Sequence, residues 1–356
     1  MDEVEDENPP ILSVGLYWKR WCLPRFGKEF AAVLVDKYGR RFTYLRLSIT
    51  DFCNFRCTYC LPDGYQASPC KKEPLSLAEI THLLAGFRAL GFDKVRITGG
   101  EPTTRKDVID IIRHARELGF DKVAMTTNGY RLGAMLPALK DAGLTNLNVS
   151  IDSLDEKRFD DLTGRNLLAP IKAAVEQAIA MGFSRVKVNA VMIGKYFWED
   201  LRLFEDWVRD LPLSVRFIEL MQTVGRPEFF RENHLSGAVL REHLVEKGYQ
   251  LVPRSMSDGP AQEFVRADLQ GSIGLIAPYS KDFCSSCNRL RVTSEGALKL
   301  CLFGNENYSL RDFLKSPDQA VELRQKICTL LGLKDEGHRL HDGDSGATWS
   351  LSAMGG

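Results

Sequence analysis

The chain has 356 residues, 44% of them hydrophobic, enough for a large core in one barrel-sized domain or two smaller ones. Lys+Arg and Asp+Glu both number 47, and this zero balance argues against broad electrostatic binding to nucleic acid or an anionic membrane. No apolar run approaches the roughly 20 residues of a membrane span, and five acidic residues within positions 1–8 are the opposite of a secretory signal, so a cytoplasmic protein is expected. Any phosphate must then be held by a local set of basic side chains.

From residue 44 to about 220, strand-like runs alternate with helix-length segments. The strands are predicted at 44–49, 94–98, 122–126, 146–151, 186–192 and 215–220. Amphipathic stretches such as 77–90, 107–118 and 171–181 lie between them and end at Gly91, Gly119 and Gly182, a helix stop signal. Six strand–helix units predict a parallel sheet, doubly wound or curled toward a barrel. Within the strands apolar and polar residues alternate: Leu45, Leu47 and Ile49 against Arg46, Ser48 and Thr50, and Val95 and Ile97 against Arg96 and Thr98. One face would pack under helices, and the polar face would line an interior open to a charged ligand. A half-solvated antiparallel sheet is the competing reading, and the intervening helices argue against it. After residue 220 a connecting and helical region (223–258) is expected, then strands around 271–302 and a helix-rich tail.

Six of the nine cysteines fall into two groups, and a disulfide framework is not expected in a cytoplasmic chain. Cys22, Cys70 and Cys328 are scattered and read as small buried hydrophobes. Cys53, Cys57 and Cys60 follow the first strand. Three thiolates in one loop can hold three irons of a cubane and leave the fourth iron open, whereas a structural zinc would want a fourth ligand nearby. Gly99-Gly100-Glu101-Pro102 follows the second strand, where glycines allow close backbone approach and a carboxylate can accept from an ammonium. Cys284, Cys287 and Cys301 again offer three thiolates, and a second cubane is preferred to zinc. Beside them Arg289 and Arg291 would point to one side of a strand as an anion clamp.

The Cys53–Cys57–Cys60 spacing with Gly-Gly-Glu-Pro resembles the radical S-adenosylmethionine (SAM) superfamily. The second cysteine group with its arginines, the run Tyr44-Leu-Arg-Leu-Ser-Ile-Thr-Asp and the terminal Gly355-Gly356 narrow this to a resemblance to the GTP 3′,8-cyclase family of molybdenum-cofactor biosynthesis, from about residue 34 to the end. That resemblance implies an α/β fold, a partial (β/α)6 TIM-like barrel over 34–222. A C-terminal α+β region (223–356) would cover its open side, and 1–33 would be an extension of unknown role. It implies two [4Fe-4S] clusters with three cysteines each, and SAM contacts at Tyr59, Gly100, Ser150 and Met221. GTP contacts are implied at Arg46, Arg96, Thr126, Lys187, Arg289, Leu290 and Arg291, with guanine on the second cluster's open iron and the Gly-Gly tail reaching the site. The implied partners are a cyclic pyranopterin monophosphate synthase acting next, a low-potential donor such as flavodoxin or ferredoxin, and a second copy in a homodimer, with no nucleic acid and no membrane. The rival readings are a peptide-modifying or sulfatase-maturing radical SAM enzyme, and a non-catalytic electron-transfer or zinc-stabilised protein.

Overall fold

The computed structural model describes residues 33–67, 72–253, 259–349 and 351–352. Cys22, Cys70 and Gly355-Gly356 lie outside them, as does all but the last residue of the 1–33 extension. A short hairpin, β1 (Leu34–Val35) and β2 (Arg41–Phe42), precedes the main sheet. The six core strands are β3 (Tyr44–Ser48), β4 (Lys94–Thr98), β5 (Lys122–Thr127), β6 (Asn146–Ser150), β7 (Arg185–Met192) and β8 (Ser214–Glu219). They pair in chain order and in parallel. The helices between them are α1 (Leu77–Ala89), α2 (Val108–Glu117), α3 (Leu132–Asp141), α4 (Glu156–Thr163), α5 (Leu168–Ala180) and α6 (Phe197–Arg209). Gly91, Gly119 and Gly182 all take positive φ just past helix ends, the conformation a side chain would disfavour.

The alternation resolves into two faces. Leu45, Leu47, Val95, Ile97, Val123, Met125, Leu147, Val149, Val188 and Val215 are fully buried in one core with the helices. Each such side chain contributes about 1.5–3 kcal/mol.

The C-terminal region holds α7 (Pro227–Asn233), α8 (Gly237–Glu246), β9 (Gln250–Leu251), β10 (Gln262–Val265), β11 (Ser272–Ile276), β12 (Arg289–Val292), β13 (Ala297–Lys299), β14 (Tyr308–Ser309) and α9 (Ala320–Leu331). It does more than cover an open side. β11 adds in parallel to β8 and β12 adds in parallel to β3, so eight parallel strands run side by side, flanked by antiparallel ones. Among the described residues the twelve-stranded sheet runs from β14 to β9.

Candidate functional site

The first thiol group lies in the loop after β3. Backbone bonds fix this loop from two sides: Arg56 and Thr58 donate to Thr163 and Leu162 at 2.9 Å, and Gly100 N donates to Thr50 O at 2.7 Å. A Cβ on Gly100 would stand 2.4 Å from Phe52 O, and one on Gly99 2.5 Å from Thr50 O, so the Gly-Gly pair is required by the thiol loop itself. Glu101 departs from expectation. Its buried carboxylate accepts from Thr103 N (2.9 Å), Thr103 Oγ1 (2.5 Å), Thr127 Oγ1 (2.7 Å) and Asn128 N (2.6 Å). The protein itself saturates the carboxylate, which ties the loop after β4 to the end of β5 instead of waiting for an ammonium.

Cys53, Cys57 and Cys60 are free and half-buried. Burial pushes all three thiols up, Cys60 to about 12, and each ionised neighbour adds to the effect. Asn128 Nδ2 stands 3.9 Å from Cys53 Sγ, and the backbone N–H groups of Leu351 and Ser352 donate to Cys60 Sγ. Crowded thiols in a dry site ionise only with a cation among them. Among the described residues, no three His, Cys, Asp or Glu side chains are placed to hold one metal ion. A cubane gives each thiolate its own iron, so this donor set fits a cluster.

Tyr59, Gly100, Ser150 and Met221 all lie at or beyond the C-terminal ends of strands. Tyr59 Oη donates to Asp152 Oδ2 at 2.8 Å, and Val191 N donates to the other oxygen at 2.9 Å. Burial lifts Asp152 to about 6. Met221 packs with Cys60 and Cys301 against Leu302, Phe303, Leu340 and Leu351, so one small apolar cluster touches both thiol groups.

The polar face of the sheet faces a cavity of about 630 Å³ lined by Arg46, Arg96, Lys187, Arg289, Arg291 and the second thiol group. Strand register explains the concentration of charge. Lys299, Arg291, Arg46 and Arg96 are direct cross-strand partners on β13, β12, β3 and β4, four cations in one row. The next row runs Arg289, Tyr44, Lys94 and Lys122. Like charges directly opposite one another destabilise a sheet. Burial, with Arg46 and Arg289 nearby, brings Arg291 down to about 9, and its Nη1 is buried without a hydrogen-bond partner. Burial opposes ionisation of Tyr44, yet Arg96, Arg46 and Lys94 outweigh it and hold the phenol at about 6. Arg96 Nε donates to Tyr44 Oη at 2.5 Å and Nη1 to Thr126 Oγ1 at 3.1 Å, which is how Thr126 joins the site. The Leu290 side chain is fully buried in the apolar core, opposite Arg289 and Arg291, so a contact there would be made by its backbone.

Of the second group, Cys284 is pushed up by burial. At Cys287 burial acts the same way, but Arg289 and Lys334 override it and bring the thiol to about 7. Three adjacent thiols facing cations again suit a cluster. Cys328 is buried in the core as expected of a small hydrophobe. Tyr44, Lys94 and Arg216 also line the cavity and were legible, since each sits two residues from a neighbour on the polar face. Glu263 was not. It accepts from Arg216 Nε and Ser214 Oγ, both at 2.7 Å, and from Lys187 Nζ at 3.4 Å.

The family profile of the radical SAM superfamily matches residues 47–208, and that described as Molybdenum Cofactor Synthesis C matches 213–340. A GTP 3′,8-cyclase of Aeromonas hydrophila is 50% identical over 338 residues, covering 94% of this chain and 99% of that relative. One of Synechococcus elongatus is 49% identical, covering 91% and 99%. Among solved structures, Streptococcus suis SuiB bound to S-adenosylmethionine superposes with a TM-score of 0.60 at 15% identity, over 85% of this chain and 74% of that one. Native anSMEcpe with bound AdoMet gives 0.53 at 12%, over 81% and 84%. These two share the fold.

Proposed function

The chain belongs to the GTP 3′,8-cyclase family of radical SAM enzymes, and from that premise we propose how its cavity holds the reactants. The enzyme converts GTP to (8S)-3′,8-cyclo-7,8-dihydroguanosine 5′-triphosphate, the first step of molybdenum-cofactor biosynthesis. The single observation that supports the placement is the row Lys299, Arg291, Arg46 and Arg96. Like charges buried side by side cost on the order of several kcal/mol, and a triphosphate offsets that cost by charge-assisted hydrogen bonds.

Cys53, Cys57 and Cys60 would hold one [4Fe-4S] cluster, and Cys284, Cys287 and Cys301 a second. With SAM bound, the first cluster supplies the 5′-deoxyadenosyl radical that removes the ribose 3′ hydrogen. Tyr59, Gly100, Ser150 and Met221 would seat SAM over the first thiol group. Arg46, Arg96, Lys187, Arg289 and Arg291 would seat the triphosphate, with Thr126 orienting Arg96. Leu302, Phe303, Leu340 and Leu351 exclude water between the two thiol groups, where a carbon radical must close onto guanine C8 without quenching. Leu351 and Ser352 reach Cys60.

Among the described residues no helix is long and apolar enough to cross a membrane. A cytoplasmic location, a synthase acting next on the product, a low-potential flavodoxin or ferredoxin donor and a homodimer complete the proposal. The test is anaerobic turnover of the iron-loaded protein with SAM, dithionite and GTP. Coupled formation of 5′-deoxyadenosine and loss of GTP is expected; 5′-deoxyadenosine without GTP loss would defeat the substrate assignment.

A further inference from the structure

The turn after β8 carries Met221, and a single residue from beyond β11 holds that turn at both ends. Glu219, the last residue of β8, is buried, and its carboxylate accepts from the backbone N–H of Tyr279. Three residues on, Gln222 N donates to Tyr279 Oη at 3.0 Å. Tyr279 therefore spans the turn, with its backbone tied before Met221 and its phenol after it. The two residues between those ties serve different parts of the site. Leu220 belongs to the apolar cluster that Tyr59 packs against, and Met221 packs, with Tyr279 itself, against the cluster that touches both thiol groups.

The phenol ring is fixed in its turn. Phe230 of α7 stacks on it at 5.9 Å, and His234 and His341 meet it edge to face at 5.2 and 6.1 Å. His234 Nε2 lies 3.0 Å from Glu219 Oε1, so the ring's neighbours brace the strand end that the Tyr279 backbone also holds. Met221 lines the cavity and Tyr279 does not, so any effect of Tyr279 on a ligand must pass through the turn. The Gln222 amide has no strand ladder to join, and the phenol oxygen is what satisfies it. A methionine side chain with three rotatable bonds owes its place to its backbone and neighbours.

We propose that Tyr279 is a positioning residue for SAM, holding the turn after β8 so that Met221 stands at the SAM site. The inference rests on the SAM reading above, in which Met221 is a contact.

The test measures equilibrium binding of SAM and of GTP, separately, to the anaerobic iron-loaded protein. Tyr279→Phe keeps the ring and removes the acceptor. It is expected to weaken SAM binding roughly three- to tenfold, with GTP affinity and iron content unchanged. In a Met221→Ala background the same substitution should add little, because the two residues act as one unit. Equal losses for SAM and GTP, an unchanged SAM affinity, or losses fully additive with Met221→Ala overturn the proposal. If Tyr279→Phe fails to retain iron, hydrogen exchange of the wild type decides: the Gln222 amide is expected to exchange slowly, and exchange at the rate of an open loop overturns the proposal. A Met221→Ala variant that binds SAM as well as wild type refutes the SAM placement and the proposal with it, a result distinct from additivity.

Discussion

Arg291 and Arg46 are direct partners on adjacent parallel strands, so two buried guanidinium groups face one cavity side by side. Burial is the main reason both sit below the usual arginine range, Arg46 at about 10 with Arg96 and Arg289 adding to it, and Arg291 at about 9 with Arg46 and Arg289 adding to it. Arg291→Ala should therefore have opposite effects on the two states. The ligand-free protein should gain about 1 kcal/mol, or a few degrees in Tm, while GTP affinity falls roughly tenfold or more. Thermal melts with and without GTP check both signs; a ligand-free protein that melts lower, with GTP affinity intact, would contradict the pairing.

The two thiol groups should separate by substitution. Cys57→Ala leaves the first group with two thiols and is expected to abolish 5′-deoxyadenosine formation, with the iron content roughly halved. Cys287→Ala should lose a similar amount of iron yet keep slow, uncoupled SAM cleavage. Iron analysis with product assay distinguishes them, and SAM cleavage by Cys57→Ala would refute the first assignment.

Glu101 is completely buried, and although burial raises its carboxyl, four donors converge on it. Glu101→Ala leaves those donors without an acceptor and should cost about 3–5 kcal/mol, with looser SAM binding as the Gly-Gly loop is released. Chemical denaturation checks the first effect. A loss under about 1 kcal/mol would mean the donors find water.

Most of the cavity wall was legible in sequence because a strand's alternation fixes both its buried face and its extent. Strands expected at 94–98 and 122–126 fall at Lys94–Thr98 and Lys122–Thr127, and Arg46, Arg96 and Lys187 emerge on the polar face. What alternation cannot supply is the neighbour. Nothing within 289–292 says that β12 lies against β3, so the four-cation row was invisible, as was the addition of β11 to β8. Glu101 misled for a related reason: its sequence context shows a carboxylate near a ligand loop, while its partners at Thr127 and Asn128 come from the next strand.

Burial holds Lys187 down at about 7, and Arg216 adds to this against the pull of Glu263. Its folded pKa lies below the ordinary lysine value of 10.5, so the unfolded chain binds more protons between about 7 and 10.5 and stability rises with pH across that window. Triphosphate binding acts on the same group in the other sense, favouring the charged ammonium. Binding should take up a proton near neutrality and weaken as pH rises above about 7. Calorimetry in buffers of different ionisation heat measures the uptake; a Lys187→Met variant with the same proton count would exclude Lys187 as its source.

Arg40, on the hairpin that precedes the sheet, is bound to the buried Asp36 and donates to three carbonyls: Asp335 at 2.6 Å, Cys284 at 3.3 Å, and Glu336. One guanidinium thus fastens the second thiol loop to the segment leading to His338, across nearly the whole described chain. A planar fork with five donors can satisfy this set, whereas a lysine ammonium with three cannot. Arg40→Lys is expected to loosen the loop so that the second group loses iron on gel filtration while the first retains it, and GTP-independent SAM cleavage should persist. Asp36→Asn, which keeps a hydrogen-bonding partner for Arg40, should show a smaller loss. Because both thiol groups reside in one chain, the distinction requires spectra: a variant in which both groups lose their iron would show that the hairpin supports the whole fold, and one in which neither does would show that Cys284 is positioned by β12 alone.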